Sequence, residues 1–132
     1  MASRPLQEPA FLILSALAAG PLHGYGIAQD VGSSSDGRVT LRAGTLYGAI
    51  DRLVAGGLVE VDHEEVVDSR LRRYYRLTAE GGDRLDAEAR RAQAQAQRAL
   101  ARLDARARQS GSSRATAGRR LGGAADGGVV PA

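Results

Sequence analysis

Few side chains in this sequence have the types and spacing that catalysis requires. His23 and Tyr25 lie close together, and a histidine base with a tyrosine acid could transfer protons. No nucleophile with a base at a motif spacing, no catalytic pair of carboxylates and no Gly-rich phosphate loop accompanies them. We therefore interpret His23-Gly24-Tyr25 as the entry to a helix, and we do not expect an enzyme.

Metal and membrane chemistry find no better support in the sequence. The chain has no cysteine, and its two histidines, His23 and His63, are far apart, so we expect no disulfide, no metal site and no cofactor. No apolar run approaches the roughly 18 residues of a membrane-spanning helix, and the N-terminus lacks a signal-peptide pattern. We expect a cytoplasmic protein without a membrane span.

Recognition of a polyanion is the chemistry that the remaining polar residues favour, and residues 42–57 are its centre. Their period predicts a helix whose buried face holds Leu46, Ile50, Leu53 and Val54. The outer face holds Gly44, Thr45, Gly48, Asp51 and Arg52. Because glycine inside a helix costs roughly 1 kcal/mol relative to alanine, we expect another molecule to approach this outer face closely. Gly56-Gly57 should end the helix.

A cluster of arginines follows this helix. Leu58–Val61 and residues 72–77 predict the two strands of a hairpin, joined by a charged connector at residues 62–71. The arginines that could contact phosphate are Arg70, Arg72, Arg73 and Arg76. The acidic residues that would repel phosphate are Asp62, Glu64, Glu65 and Asp68. We therefore expect the phosphate contacts at the base of the hairpin, from Arg72 and Arg73.

The elements that position these residues are predicted to be mostly helical. The almost wholly apolar segment Pro9–Ala19 predicts a buried first helix, and a short second helix should begin at His23. Residues 32–37 have the composition of a loop, and Arg38–Leu41 should form a brief strand. The predicted fold is mainly α with a small β-hairpin wing. It forms a winged helix-turn-helix domain at residues 9–82 after an N-terminal arm at residues 1–8.

A long C-terminal helix is predicted to begin after Thr78, the candidate N-cap, and to run through about Arg108, with residues 83–108 as the dimerisation helix. Two overlapping seams of small and apolar side chains run along it at heptad-like spacing: Leu85, Ala89, Ala92, Ala96, Leu100 and Leu103. Because isolated helices are marginal in water, we expect a second copy of the chain to cover these residues in a homodimer. The Ser-, Gly- and Arg-rich residues 109–132 predict a disordered tail.

The overall charge does not identify the binding surface. The formal charge of +3 and the pI of about 9.9 would suit a polyanionic partner. However, residues 1–83 hold 8 arginines against 11 acidic residues, whereas residues 84–132 hold 10 against 4. The positive excess thus lies outside the hairpin and the helix at residues 42–57.

Three ordered motifs carry a more specific resemblance. They are Phe11-Leu12-Ile13-Leu14 with Gly20-Pro21-Leu22-His23-Gly24-Tyr25-Gly26-Ile27, then Gly44-Thr45-Leu46-Tyr47 with Asp51-Arg52-Leu53, then Arg73-Tyr74-Tyr75-Arg76-Leu77-Thr78 with Gly81. Over about residues 9–82 the chain resembles the PadR family of bacterial transcriptional regulators. The resemblance implies a winged helix-turn-helix domain, dimerisation through a C-terminal helix and repression at operator DNA. It also implies that a small aromatic or drug-like effector releases the DNA.

With this resemblance, the residues expected to contact DNA are Tyr25, Arg42, Thr45, Tyr47, Arg52, Arg72 and Arg73. The N-terminal part of a recognition helix reads base edges in the major groove, while tyrosine hydroxyls and wing arginines suit phosphates. Alternatively, Tyr47 is only a core residue and Arg52 only a solvated charge. The alternative function is a winged-helix module that binds another protein through its Ala-rich helix and does not bind DNA, which the acidic hairpin favours.

Overall fold

The computed structural model describes the backbone of residues 6–125 and the side chains of residues 6–111. The elements, in chain order, are α1 (Glu8–Ala18), β1 (Leu22–His23), α2 (Gly24–Ser34), α3 (Ala43–Ala55), β2 (Val59–Val67), β3 (Arg70–Leu77) and α4 (Ala79–Ala125). The fold is mainly α with a small antiparallel sheet. The predicted winged helix-turn-helix class, with a long C-terminal helix, is confirmed. Residues 1–5 of the predicted arm lie outside the described residues, and Glu8 already begins α1.

One hydrophobic core joins the first three helices to the sheet. Its buried members are Ile13, Leu14, Ala16, Leu17, Ile27, Val31, Leu46, Ala49, Ile50, Leu53, Val59 and Tyr75. Pro9 lies in the first turn of α1, where the missing N–H leaves no helical hydrogen bond unmade. The core holds α2 and α3 as a helix-turn-helix pair, and so fixes the outer face of α3 relative to the sheet.

The central predicted helix is α3, which buries Leu46, Ile50 and Leu53 as expected. The prediction that Val54 lies on the same buried face is wrong. Val54 is 39% exposed, and Ala49 is buried on this face instead. At about 100° per residue, Val54 falls at the margin of the apolar stripe whereas Ala49 falls within it. Two backbone hydrogen bonds close the helix, from Gly57 N to Val54 O and from Leu58 N to Leu53 O, both 3.0 Å long.

The sheet differs from the prediction at both of its ends. Its order is β1-β3-β2, and β1 was not predicted because two residues are too few to show a strand period. The strand expected at Arg38–Leu41 is wrong, since this segment is irregular. Its backbone is held by the side chain of Ser35 instead, whose hydroxyl accepts a 3.0 Å hydrogen bond from the Val39 N–H. The helix α2 also continues to Ser34, into the predicted loop.

The hairpin of β2 and β3, which we call the wing, is longer than predicted. Most of the expected connector at residues 62–71 is paired strand, and only Asp68 and Ser69 form the turn. Both turn residues have positive φ, 52° and 63°, as two-residue hairpin turns of the primed types require. The charged residues that suggested a connector lie opposite one another across the strands, where opposite charges stabilise pairing.

The junction before α4 ties the wing to the last helix. Thr78 caps this helix as predicted, because its Oγ1 accepts a 2.9 Å hydrogen bond from Gly81 N. The same hydroxyl donates to Gly57 O at 2.6 Å. Leu85, predicted for the dimer seam, is partly buried and packs against the domain core.

The chain divides into two compact units, the first ending at Arg90 and the second beginning at Arg91. In the second unit α4 continues to Ala125, past the helix end predicted at residue 108. Residues 109–125, predicted to be disordered, are therefore helical here, because a helix that is already nucleated extends easily through alanine and arginine. The remainder of the predicted tail, residues 126–132, lies outside the described residues.

Candidate nucleic-acid interface

A groove of about 900 Å³ runs between the wing, the first turn of α2 and the middle of α3. Four of the seven predicted contact residues line it: Tyr25, Tyr47, Arg72 and Arg73. They come from three different elements, so the fold brings together side chains that are up to 48 positions apart in the sequence.

Tyr47 reaches the groove because Gly24 has no side chain. A Cβ atom at Gly24 would lie 2.7 Å from the Cζ atom of Tyr47 and would overlap its hydroxyl oxygen. The tyrosine therefore packs its ring edge on the start of α2 while remaining 45% exposed. Tyr47 is neither a plain core residue nor a free surface side chain, and its hydroxyl is held at the α2 N-terminus.

The N-terminus of α2 lies beside the groove, with Gly24 buried beneath Tyr47. His23 is the N-cap residue, and its side chain makes no capping hydrogen bond. The first N–H groups of a helix have no intrahelical acceptor, and the helix dipole favours an anion beside them. Tyr25, in the same turn, is 66% exposed, and its hydroxyl accepts a 3.2 Å hydrogen bond from the Gln29 amide. This turn offers several donors to an anionic group.

The three remaining predicted contacts lie on the exposed face of α3. Arg42 is the N-cap residue, Thr45 is in the first turn, and Arg52 is in the last turn. Arg52 folds back along the helix, so that a Cβ atom at Gly48 would lie 3.7 Å from its Nη1 atom. A Cβ atom at Gly44 would meet no atom within 4 Å. Contacts within the protein therefore do not explain why positions 44 and 48 are glycine.

The acidic residues of β2 neutralise two of the four wing arginines. Arg76 Nε lies 2.9 Å from Glu60 Oε1, and Arg76 Nη1 lies 3.1 Å from Asp62 Oδ1. These contacts, with Glu60 first, raise the pKa of Arg76 above its ordinary value. Arg73 Nη2 lies 3.5 Å from Glu64 Oε2. Glu64 and Asp62 thus pair with cations instead of projecting as unpaired repulsive charges.

Arg72 differs from Arg73 and Arg76. It lies opposite Glu65 in the sheet register, yet it forms no salt bridge within the described side chains. Glu65 Oε1 instead lies 4.0 Å from Nε2 of His63. Arg72 also lines the groove beside His23. Like Arg70, which also lines the groove, Arg72 is therefore not held by a carboxylate among the described side chains.

Both histidines pack on Tyr74 at the edge of this region. The ring of His63 stacks on that of Tyr74, with 4.4 Å between the ring centroids and an interplanar angle of 9°. The ring of His23 is tilted by 50° relative to that of Tyr74, and their centroids lie 5.3 Å apart. Burial, followed by the charge of Arg72, lowers the pKa of His23. His63 donates a hydrogen bond to Asp62 and thereby lowers the pKa of that carboxyl. At neutral pH His23 adds packing rather than positive charge to the groove.

Asp51, Asp68 and Tyr75 line the groove but were not predicted as site residues. Arg70, which the sequence offered as a possible phosphate contact at the tip of the hairpin rather than at its base, lines the groove as well. Arg70 and Asp68 belong to the turn region of the wing, and their position follows from the two-residue turn. A search for the cross-strand register that such a turn imposes would have found them. Asp51 was assigned to the outer face of α3, but nothing indicated that the wing lies opposite.

Other kinds of site find no counterpart in the described part of the chain. No group of three or more His, Cys, Asp or Glu residues within it could hold a metal ion. None of the helices formed by residues 6–125 has both the length and the apolar character needed to cross a membrane.

Comparison with known proteins places the fold in a family. The model of the family described as transcriptional regulator PadR-like matches residues 13–87. An uncharacterized protein of Lysinibacillus sphaericus is 29% identical over 70 residues, which cover 53% of this chain and 64% of that protein. The chain thus spans less than two thirds of the length of this curated relative.

Two solved structures have the same fold. A PadR family transcription regulator from Clostridium difficile is 28% identical, with a TM-score of 0.55 over 64% of this chain and 86% of that one. Bacillus subtilis PadR, solved in complex with operator DNA, is 20% identical, with a TM-score of 0.55 over 61% of this chain and 46% of that one. The second likeness concerns the fold alone. The family model covers more than half of the sequence, and the chain belongs to the transcriptional regulator PadR-like family.

Proposed function

We propose that this protein is a homodimeric repressor that binds operator DNA through α3 and the wing. The observation that carries the proposal is the groove beside α3, which is lined by residues of α2, α3 and β3. A recognition helix in the major groove leaves the adjacent phosphate backbone between itself and a wing. The groove has the position and the donors to hold that backbone. Bacillus subtilis PadR, which has the same fold, was solved with operator DNA.

In this proposal α3 reads the bases. Arg42, Thr45 and Arg52 are exposed and project from the face that carries the open glycines. Arginine pairs with guanine edges, and the threonine methyl and hydroxyl suit either thymine or a polar base edge. Gly44 and Gly48 let the helix backbone lie deep in the major groove, where a side chain would hold it away.

Replacing Gly48 with alanine should separate stability from binding. We expect the free energy of unfolding to rise by about 0.5–1 kcal/mol, because alanine is the better helix former and has room for its methyl group. Operator affinity should fall at the same time, since the methyl group faces the DNA. Urea unfolding and fluorescence anisotropy measure the two effects. Gly82→Ala is the control, because a Cβ atom there meets nothing within 4 Å; it should stabilise α4 without weakening binding.

Arg72 supplies the phosphate contact of the wing in this proposal. Arg72→Ala should weaken binding to operator and random duplexes by the same factor, and should lower the salt slope of log K by about 0.9. Arg90→Ala, which removes the same charge from an exposed pair with Asp86, is the matched control. An unchanged slope for Arg72→Ala would remove Arg72 from the proposed interface.

The second unit supports a dimer. Leu100 and Leu103 are 61% and 57% exposed on one face of α4, and Ala92 and Ala96 are exposed along the same seam. Leucines three residues apart share a helix face, and such a stripe is typical of helix association. A two-fold dimer would present two α3 helices about 34 Å apart, one turn of DNA, and would require a palindromic operator.

Release of the DNA by a small aromatic or drug-like effector completes the proposal. Its support is family membership alone. Anisotropy of the protein–operator complex during titration with a panel of phenolic acids and planar cationic dyes tests it, with thermal unfolding of the free protein as a second readout. An effector should lower DNA affinity and raise the unfolding temperature together.

The alternative of a protein-interaction module rests on the same exposed leucines, since a different protein could cover them. Anisotropy with a duplex from upstream of the protein's own gene, together with the mass of the free protein, distinguishes the two. A dimer that binds this duplex more tightly than a random one supports the repressor. A monomer that binds neither duplex favours the protein-interaction module.

A further inference from the structure

Three of the four wing arginines differ in their partners. Arg76 is held by two carboxylates, those of Glu60 and Asp62, at 2.9 and 3.1 Å. Arg72 has no salt bridge with any described side chain. Arg73 is intermediate, because a single 3.5 Å contact joins it to Glu64. The three cations therefore differ in how readily an external anion could reach them.

The pair of Arg73 and Glu64 combines two properties. First, Arg73 lines the groove, whereas Arg76 does not. Second, the pair is accessible, with side-chain exposures of 51% for Arg73 and 42% for Glu64. Exposed pairs of this kind contribute little to stability, so the charge of Glu64 can be removed without unfolding the wing.

We propose that Glu64 competes with a DNA phosphate for Arg73 and thereby limits the affinity of the wing for DNA. The inference rests on the proposed function of the groove. Glu64 and Arg73 face each other directly in the sheet register, so the carboxylate stays near the guanidinium even when the pair opens. A phosphate at Arg73 therefore meets a nearby negative charge, and part of the favourable counterion release is lost.

Glu64→Gln keeps the size and hydrogen-bonding capacity of the side chain but removes its charge. We expect it to raise affinity for operator and random duplexes by the same factor, about 3- to 10-fold near 0.1 M salt, and to steepen the salt slope by about 0.9. Glu8→Gln is the matched control, because Glu8 forms an exposed 2.7 Å pair with Arg38 away from the wing. This control corrects for the loss of one negative charge anywhere on the protein.

A double-mutant cycle identifies the partner. Arg73→Ala should change affinity less than about 2-fold in the wild-type background, where Glu64 already occupies the arginine, and should abolish the whole gain in the Glu64→Gln background. Thermal unfolding confirms that each variant is folded. This pattern distinguishes release of Arg73 from a general effect of charge on the wing.

The outcomes separate the inference from the function that it rests on. If the wild type binds its operator but Glu64→Gln matches Glu8→Gln in affinity and slope, the inference is wrong and the repressor proposal stands. A gain that persists in the double variant with Arg73→Ala also overturns the inference. If the wild type binds no duplex at any salt concentration, the proposed function fails, and the inference fails with it.

Discussion

Replacing Gly81 with alanine is expected to destabilise the domain by about 3 kcal/mol, the upper end of the usual cost of overpacking, because the added methyl group meets backbone atoms. A Cβ atom at Gly81 would overlap the carbonyl oxygen of Leu58 and lie 2.9 Å from its carbonyl carbon. Neither atom can move freely, because Leu58 O accepts a 3.1 Å hydrogen bond from Thr78 N. The substitution is therefore expected to disrupt packing at the junction of α3, the wing and α4.

The neighbouring glycine provides the control for this prediction. Gly82 lies in the same helical turn, but a Cβ atom there meets nothing within 4 Å. Gly82→Ala should therefore stabilise the fold by about 0.5–1 kcal/mol through helix propensity alone. Urea unfolding followed by circular dichroism measures both variants. Equal midpoints for the two would mean that the first turn of α4 does not pack on Leu58 as described.

The second large effect is expected from the exposed leucines of α4. Replacing Leu100 and Leu103 together with glutamate places two like charges on the proposed dimer seam, and should convert the dimer to a folded monomer. A monomer binds one half-site, whereas linked recognition helices gain about 10²- to 10⁴-fold from effective concentration. Operator affinity should fall by that factor, while affinity for an isolated half-site should change little.

Two alanines on the opposite face of α4 give the matched control. Ala101 and Ala105 are exposed, and their replacement with glutamate adds the same charge to the same helix. Sedimentation equilibrium and anisotropy should find this variant dimeric and fully active. A dimer that survives in the leucine variant would move the interface elsewhere on the chain. A variant that is monomeric yet binds the operator at full strength would remove dimerisation from the mechanism.

Much of the fold could be predicted from the sequence because its signals are local. The apolar period of residues 42–57 gave α3 with three of its four buried residues, and Thr78 was recognised as a cap. Val54 was assigned to the buried face incorrectly. Whether a residue at the edge of the apolar stripe is buried depends on the neighbouring elements, which the helical period does not contain. The extent of α4 was underestimated because composition alone does not account for extension from a nucleated helix.

The sheet was less predictable, since strands depend on partners that are distant in sequence. The two residues of β1 become a strand only because β3 lies beside them. Residues 62–67 looked like a polar connector, but their charges find opposite charges across the hairpin. A non-glycine turn at Asp68 and Ser69 with positive φ also runs against the usual preference for Asn-Gly or Asp-Gly.

The candidate site shows the same division. Tyr25, Tyr47, Arg72 and Arg73 were chosen from residue type and motif, and the fold places them along one groove; their contacts with DNA remain predictions. The position of Tyr47 depends on Gly24, a relation between two elements that no local pattern contains. The partners of Arg73 and Arg76 depend on strand register, so sequence reasoning read their acidic neighbours as repulsive charges.

The central claim is that α3 reads DNA from a two-fold dimer. Selection of bound duplexes from a random pool by the full chain tests it most directly. The predicted result is an enriched palindrome whose half-sites are centred about 10 base pairs apart, with the half-site sequence changed in the Thr45→Ala variant. A pool that stays random after repeated rounds, while the protein remains folded, would contradict the claim.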